Sequence, residues 1–384
     1  MLKYVERKGT DCFKWDGLRE MFGADDLLPL WVADMDFRVD ENILDAMRRY
    51  IDTGVAGYYK VPDSYYDAFI NWEKTEHGYE VNREWIRFTP GVVSGFNMAL
   101  QVLTEPGDAV IICTPVYYPF TNAINNNGRV LVTSELQRTD GRYYIDFEDF
   151  EQKIIDNNVK AFIFCSPHNP VSRVWSEGEI RRLLAICWRH EVAVISDEIH
   201  HDLLFSGYTH VPTLSVAGEG DRVIMLTAAS KTFNIAGLQN SFAVIPDSGL
   251  REKWDAFVEG IRMSHGNAMG YIAAEAAYTY GKPWLEEVRD VIAGNFEYIK
   301  ETFAEKLPGV ILTPLEGTYL AWADFGTYLS EDELQKFMQD RCGLAFDYGS
   351  WFGGDRSGTC IRINLATSRE NIEKMTDRIT KALL

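Results

Sequence analysis

Between about residue 90 and residue 245, short apolar runs alternate with amphipathic segments, a pattern that predicts a mostly parallel sheet with helices packed on it. The runs are "AVIICTP", "RVLVTSEL", "KAFIFCSP", "VAVISDE", "RVIMLTAAS" and "SFAVIP". Between two of them, "SEGEIRRLLAICWRHE" has helical spacing, and Ser176 with Glu179 three residues on forms a capping-box signature. A further helix is expected in "GVVSGFNMALQVL", directly after the turn residues Pro90 and Gly91. Past about residue 270 the pattern changes to long helices, "YIAAEAAYTY" and "PWLEEVRDVIAGNFEYIKETFAEKL". A strand "GTYLAWADF", a capped helix "SEDELQKFMQDRCG", a strand "TCIRINLA" and a final helix "SRENIEKMTDRITKALL" follow. The expected fold class is α/β, with a large domain over residues 45–280 and a smaller α+β domain from 1–44 and 281–384.

In open parallel sheets, ligands bind beyond the carboxyl ends of the strands, so polar residues that follow apolar runs are the first candidates for a site. Asn169 follows "AFIFCSPH", Asp197 and His200 follow "VAVIS", and Lys231 follows "VIMLTAAS". Lys231 is the single charged group in "TAASKTFNIAGLQN". An unpaired ammonium is costly to bury and tends to lose its proton instead, so either the side chain snorkels out or its chemistry is used. Taken singly, the others have structural explanations: Asn169 before Pro170 is a turn former, and Asp197 with Glu198 can cap a helix. His200 and His201, close to Asp197 and Asp202, raise the question of a metal. Neighbours on an extended segment point to opposite faces and no further His or Cys spacing supports a site, so no metal is expected.

The formal charge of −19, from 38 Lys plus Arg against 57 Asp plus Glu, opposes binding to nucleic acid or anionic lipid. No secretory signal pattern and no apolar stretch of membrane-spanning length are visible, so a cytoplasmic enzyme is expected. Six scattered cysteines without C-x-x-C or zinc-like spacing read as reduced, packed thiols.

The combination of a lysine able to form a Schiff base and an acid able to keep a heteroaromatic nitrogen protonated is what pyridoxal 5'-phosphate demands of a protein. Its phosphate needs backbone N–H donors at a helix start, and Gly91, Val92 and Val93 offer them. The chain resembles the fold-type I pyridoxal phosphate enzymes, the aspartate aminotransferase superfamily, and within them the cystathionine beta-lyase branch. The resemblance runs through "LPLWVADMDF", "GYYKVPDSYYDAF", "TPVYYPF", "SPHNPVSRVW", "SDEIHHDL", "ASKTFNIAGLQ" and "IRINLATS".

The resemblance implies that Lys231 is the Schiff-base lysine, Asp197 the partner of the pyridine nitrogen, and Asn169 a donor to the ring hydroxyl. Tyr117 would stack on the ring, with His200 three residues after the aspartate as in the lyase branch, and Val92, Val93 and Ser230 would hold the phosphate. Tyr58 would reach the phosphate or substrate of the neighbouring subunit, which implies a homodimer with shared active sites. Arg362 would pair with the substrate α-carboxylate. Trp31 and the loop "GSWFGGDRSG" are expected to shape the substrate pocket, although core packing explains Trp31 equally well. Two positions depart from the aminotransferase pattern: Ala228 replaces a phosphate-binding serine and Gln239 a phosphate-binding arginine. The implied reaction is β-elimination from cystathionine or a cysteine S-conjugate through a quinonoid, giving thiol, pyruvate and ammonia. Residue chemistry alone leaves transamination open, and a cofactor-binding regulatory protein is a third reading.

Overall fold

The computed structural model describes residues 2–205, 207–218 and 220–384. Seven strands form the main sheet: β1 (Ile86–Thr89), β2 (Ala109–Thr114), β3 (Val130–Glu135), β4 (Ala161–Cys165), β5 (Ala193–Asp197), β6 (Val223–Thr227) and β7 (Ser241–Val244). Their spatial order is β1-β7-β6-β5-β4-β2-β3, and the pairings from β6 through β3 are parallel. All six apolar runs named above lie in this sheet.

The sheet is mostly parallel, as expected, with two features at one edge that the sequence pattern did not specify. β7, the run "SFAVIP", is antiparallel to both β6 and β1. Between Thr227 and Ser241 the chain makes only a four-residue helical turn and a 3-10 turn, with no helix long enough to carry it back to the opposite end of the strands as a parallel crossover does. β1, the short segment "IRFT", completes that edge and carries no sequence signal strong enough to mark it as a strand.

Alternate residues of the central strands enter two different cores, as the two-residue period of a strand demands. Ile111, Phe162, Val194 and Met225 face the larger core, while Val110, Ile163, Ile195 and Ile224 face the other. Helices α1 (Glu41–Ile51) and α2 (Asp63–His77) pack with α5 (Ala268–Tyr280), and α3 (Val92–Leu103) lies under the sheet beside the helix 248–260. Helix α4 (Glu177–Arg189) begins with the expected box: Glu179 N–H donates to Ser176 Oγ and the Glu179 carboxylate accepts from Ser176 N–H.

The C-terminal part forms a second sheet of β8 (Ile311–Leu312), β9 (Leu320–Asp324), β10 (Asp347–Tyr348) and β11 (Cys360–Asn364), in the antiparallel order β8-β9-β11-β10. Helices α6 (Lys282–Lys306) and α7 (Arg369–Leu383) pack against each other in this part of the chain. The N-terminal Leu28–Pro29 pairs with Leu344–Ala345, which ties the N-terminal segment to the C-terminal elements. No described helix is long and apolar enough to cross a membrane. All six cysteines are free and buried.

Candidate active site

Register explains why the site forms where it does. Cys165 of β4 lies opposite Asp197 of β5, and Asp197 lies opposite Leu226 of β6, so three parallel strands end at one level. The residues that follow them, Asn169, His200 and Lys231, therefore line one cavity of about 270 Å³ together with Asp197, Tyr117 and Ser230. The start of α3 closes another side through Gly91, Val92 and Val93. Gly91 adopts φ +102°, a positive-φ conformation suited to glycine, at the start of α3, whose first N–H groups have no intrahelical partners.

The electrostatics follow from burial. Asp197 is 4% exposed and accepts one hydrogen bond, from Ile199 N–H at 3.1 Å. Loss of water is the largest influence on it and raises its pKa to about 7, against the opposing effects of that N–H and of Lys231. Shielding of the Lys231 ammonium pushes its pKa down to about 8, with Asp34 opposing and Arg362 reinforcing the shift. The Lys231 Nζ donates to the carbonyl of Ala33 at 2.7 Å, and the Tyr319 hydroxyl donates to the same oxygen at 2.7 Å. His200 is buried and held well below the usual imidazole range, first by burial and then by the positive charges of Lys231 and Arg362. It is a neutral ring whose Nδ1 has no partner.

Arg362 donates to Asn169 Oδ1 at 3.0 Å and to the Trp31 carbonyl at 3.0 Å, and it is paired with Asp347, leaving its buried Nε without a partner. Holding the Asn169 oxygen in this way leaves the amide NH2 as the donor for the cavity. Tyr117 is half-buried on the cavity wall, its N–H fixed by the Asn169 carbonyl at 3.0 Å.

Three expected residues lie outside the cavity lining: Trp31, Tyr58 and Arg362, the last bonded to the lining residue Asn169. Trp31 does not line the cavity: its indole packs with Leu18, Leu27 and Ala345, and Nε1 donates to the Lys14 carbonyl at 2.9 Å. A large apolar ring with a buried acceptor for its N–H is satisfied as core, and only the Trp31 carbonyl serves the site, through Arg362. Tyr58 is fully exposed and does not line the cavity of its own chain. The loop 349–358 also stays outside the wall; its Phe352 carbonyl accepts from Val116 N–H at 2.9 Å and so braces the segment that carries Tyr117.

Sequence reasoning did not single out Ala33, Tyr319 or Asn234. Asn234, at φ +57°, donates to the Met35 and Phe37 carbonyls and accepts from Met35 N–H, pinning the N-terminal segment to the turn after Lys231. Its signal was its place within "ASKTFNIAGLQ", but a backbone-bridging amide has no spacing rule that reveals its distant partner. Gln239 and Ser230 both line the cavity, Ala228 is buried, and the lining beside the start of α3 includes Ser94 and Ser230 but no arginine.

The sequence matches the family model described as aminotransferase class I and II over residues 25–379. The chain belongs to this family. Among curated aminotransferase-family relatives, cystathionine beta-lyase PatB of Bacillus subtilis is 41% identical over 99% of each chain. Cystalysin of Treponema denticola, solved with pyridoxal 5'-phosphate, superposes with a TM-score of 0.95 at 36% identity, covering 99% of this chain and 98% of that one. The pyridoxal phosphate-bound C-S lyase of Staphylococcus hominis gives 0.94 at 33% identity, over 100% and 97%. Membership of the aminotransferase class I and II family makes the aspartate aminotransferase-like fold the right description of the architecture.

Proposed function

We propose that the protein is a pyridoxal phosphate-dependent carbon-sulfur β-lyase that cleaves L-cystathionine or related cysteine S-conjugates to a thiol, pyruvate and ammonia. The observation that carries this reading is the convergence of Lys231, Asp197 and Asn169 on one cavity in a chain 41% identical, end to end, to a cystathionine beta-lyase.

The residues fit the cofactor. Asp197 is a buried carboxylate with one N–H partner and no ion pair among the described residues, which suits a protonated ring nitrogen. The start of α3 and the Ser230 hydroxyl suit a phosphate. When bound, pyridoxal phosphate supplies a carbonyl that links to amines and a ring that takes up the electron pair of the α-carbon.

The chain's own groups do the rest. Asp197 would keep the proton on the pyridine nitrogen, Asn169 would donate to the ring hydroxyl, and Tyr117 would cover one ring face. Lys231 would hold the cofactor through its amine, and that amine, when free and neutral, would serve as the base for the substrate α-proton and as a proton donor afterwards. Arg362 receives the substrate α-carboxylate, and neutral His200 adds an uncharged wall beside the reacting centre. A thiol of pKa about 8.5 leaves readily as thiolate, which favours elimination of the β-substituent. Residues 45–280 supply the cofactor-binding domain, and 1–44 with 281–384 supply the small domain that brings Ala33, Tyr319 and Arg362 over it. Tyr58 completes the site of the second subunit in a cytoplasmic homodimer.

The test is a product balance on cystathionine with purified holoenzyme. Thiol, pyruvate and ammonia are expected in equal amounts, with no turnover by Lys231→Ala. Formation of an amino-group transfer product in place of free ammonia contradicts the lyase reading.

A further inference from the structure

Behind the cofactor cavity, on the far side of His200, lies a second cluster of titratable groups that the lyase chemistry does not use. Helix α2 contributes Glu73 and His77, four residues apart and hence on one face, and the turn after β5 contributes His201 and Asp202. One donor atom from each of Glu73, His77 and His201 lies within 4.8 Å of the others. Glu73 and His201 are each 1% exposed.

The orientation of these groups is already fixed from outside. His201 Nδ1 is hydrogen-bonded to the Thr227 hydroxyl at 2.7 Å, which aims Nε2 at Glu73. Asp202 receives Trp72 Nε1 at 2.9 Å and the Thr232 hydroxyl at 2.6 Å, and its Oδ1 lies 2.8 Å from His77 Nε2. At the centre, Glu73 Oε1 and His201 Nε2 are buried, have no hydrogen bond of good geometry and stand 3.5 Å apart, with Asp202 Oδ2 3.3 Å from the same His201 nitrogen. The 3.5 Å gap is long for a hydrogen bond. It matches two ligands each about 2.05 Å from one ion at an angle of roughly 115°, close to tetrahedral.

We propose that Glu73, His77 and His201 form a structural site for a divalent transition metal, zinc by its ligand set, with Asp202 as an additional or orienting carboxylate. Two imidazoles and a carboxylate suit zinc, whose coordination has no strong directional demand of its own. The ion joins the end of α2 to the turn after β5. Through Asp202 and Thr232 it also steadies the helical turn that carries Lys231. The sequence reading weighed His200 and His201 only with Asp197 and Asp202, because Glu73 and His77 are distant in sequence; His201 does not line the cofactor cavity that His200 lines.

The test uses holoenzyme exposed to excess zinc alone, passed through gel filtration and assayed for bound metal. Roughly one zinc per protomer is expected. Glu73→Gln and His201→Asn are each expected to weaken retention by more than about tenfold while keeping the cofactor's visible absorbance. Should either variant lose that absorbance, an anomalous-difference map of zinc-soaked wild-type crystals decides independently, with a peak expected among Glu73, His77 and His201. Wild-type protein holding no zinc, unchanged retention in both folded variants, or an anomalous peak elsewhere would overturn the proposal.

Discussion

Lys231 shows how far single-residue chemistry carries. A lone cation between two apolar runs signalled a functional amine, and its surroundings place its pKa at about 8, far enough down to give a substantial neutral fraction near physiological pH. Only the neutral amine attacks a carbonyl, so the rate at which cofactor-free enzyme captures added pyridoxal phosphate is predicted to rise with pH through about 8 and then level off. Stopped-flow absorbance measures this; a rate that is flat from pH 6 to 9 contradicts it. Asp197 and Asn169 were equally visible as polar residues after buried strands. Trp31 was not, because a tryptophan that packs and one that lines a pocket look alike until the N–H partner is known, and here that partner is the Lys14 carbonyl. Arg362 was placed at the site by resemblance, but its bonds to Asn169, Asp347 and the Trp31 carbonyl join residues far apart in sequence and have no local pattern.

At the scale of elements, the parallel strands and the capped helix α4 were legible because each carries a strong local signal, an unbroken apolar run or a capping box. The antiparallel edge was not, since strand direction depends on the connection and β1 is only four residues long. The loop 349–358 acts at this scale too. A Cβ at Gly349 would stand 1.7 Å from the Ser357 carbonyl oxygen, a contact that side-chain rotation cannot relieve. Gly349→Ala is therefore predicted to shift the loop, loosen the Val116–Phe352 bond and cost roughly 1–3 kcal/mol or more. Thermal melting of the holoenzyme checks the loss of stability, and a melting temperature equal to wild type contradicts it.

For the whole molecule, the decisive feature is that the chain leaves Tyr58 fully exposed while the cavity lacks a side chain from that loop. A dimer with shared sites gives a sharp prediction. Lys231→Ala and Tyr58→Ala dimers, each nearly inactive alone, regain about a quarter of wild-type activity after subunit exchange, because half the dimers are hybrids with one intact site of two. Absence of any recovery, with exchange verified by mass, contradicts shared sites. The choice between elimination and transamination also belongs to this scale, since both use the same cavity groups and the preference rests on likeness along the full chain. The most direct measurement is the initial rate of pyruvate release from cystathionine with and without an added keto acid. An unchanged rate, sustained over many turnovers without acceptor, is the predicted result; a rate that vanishes after one turnover unless the keto acid is present would contradict the lyase assignment.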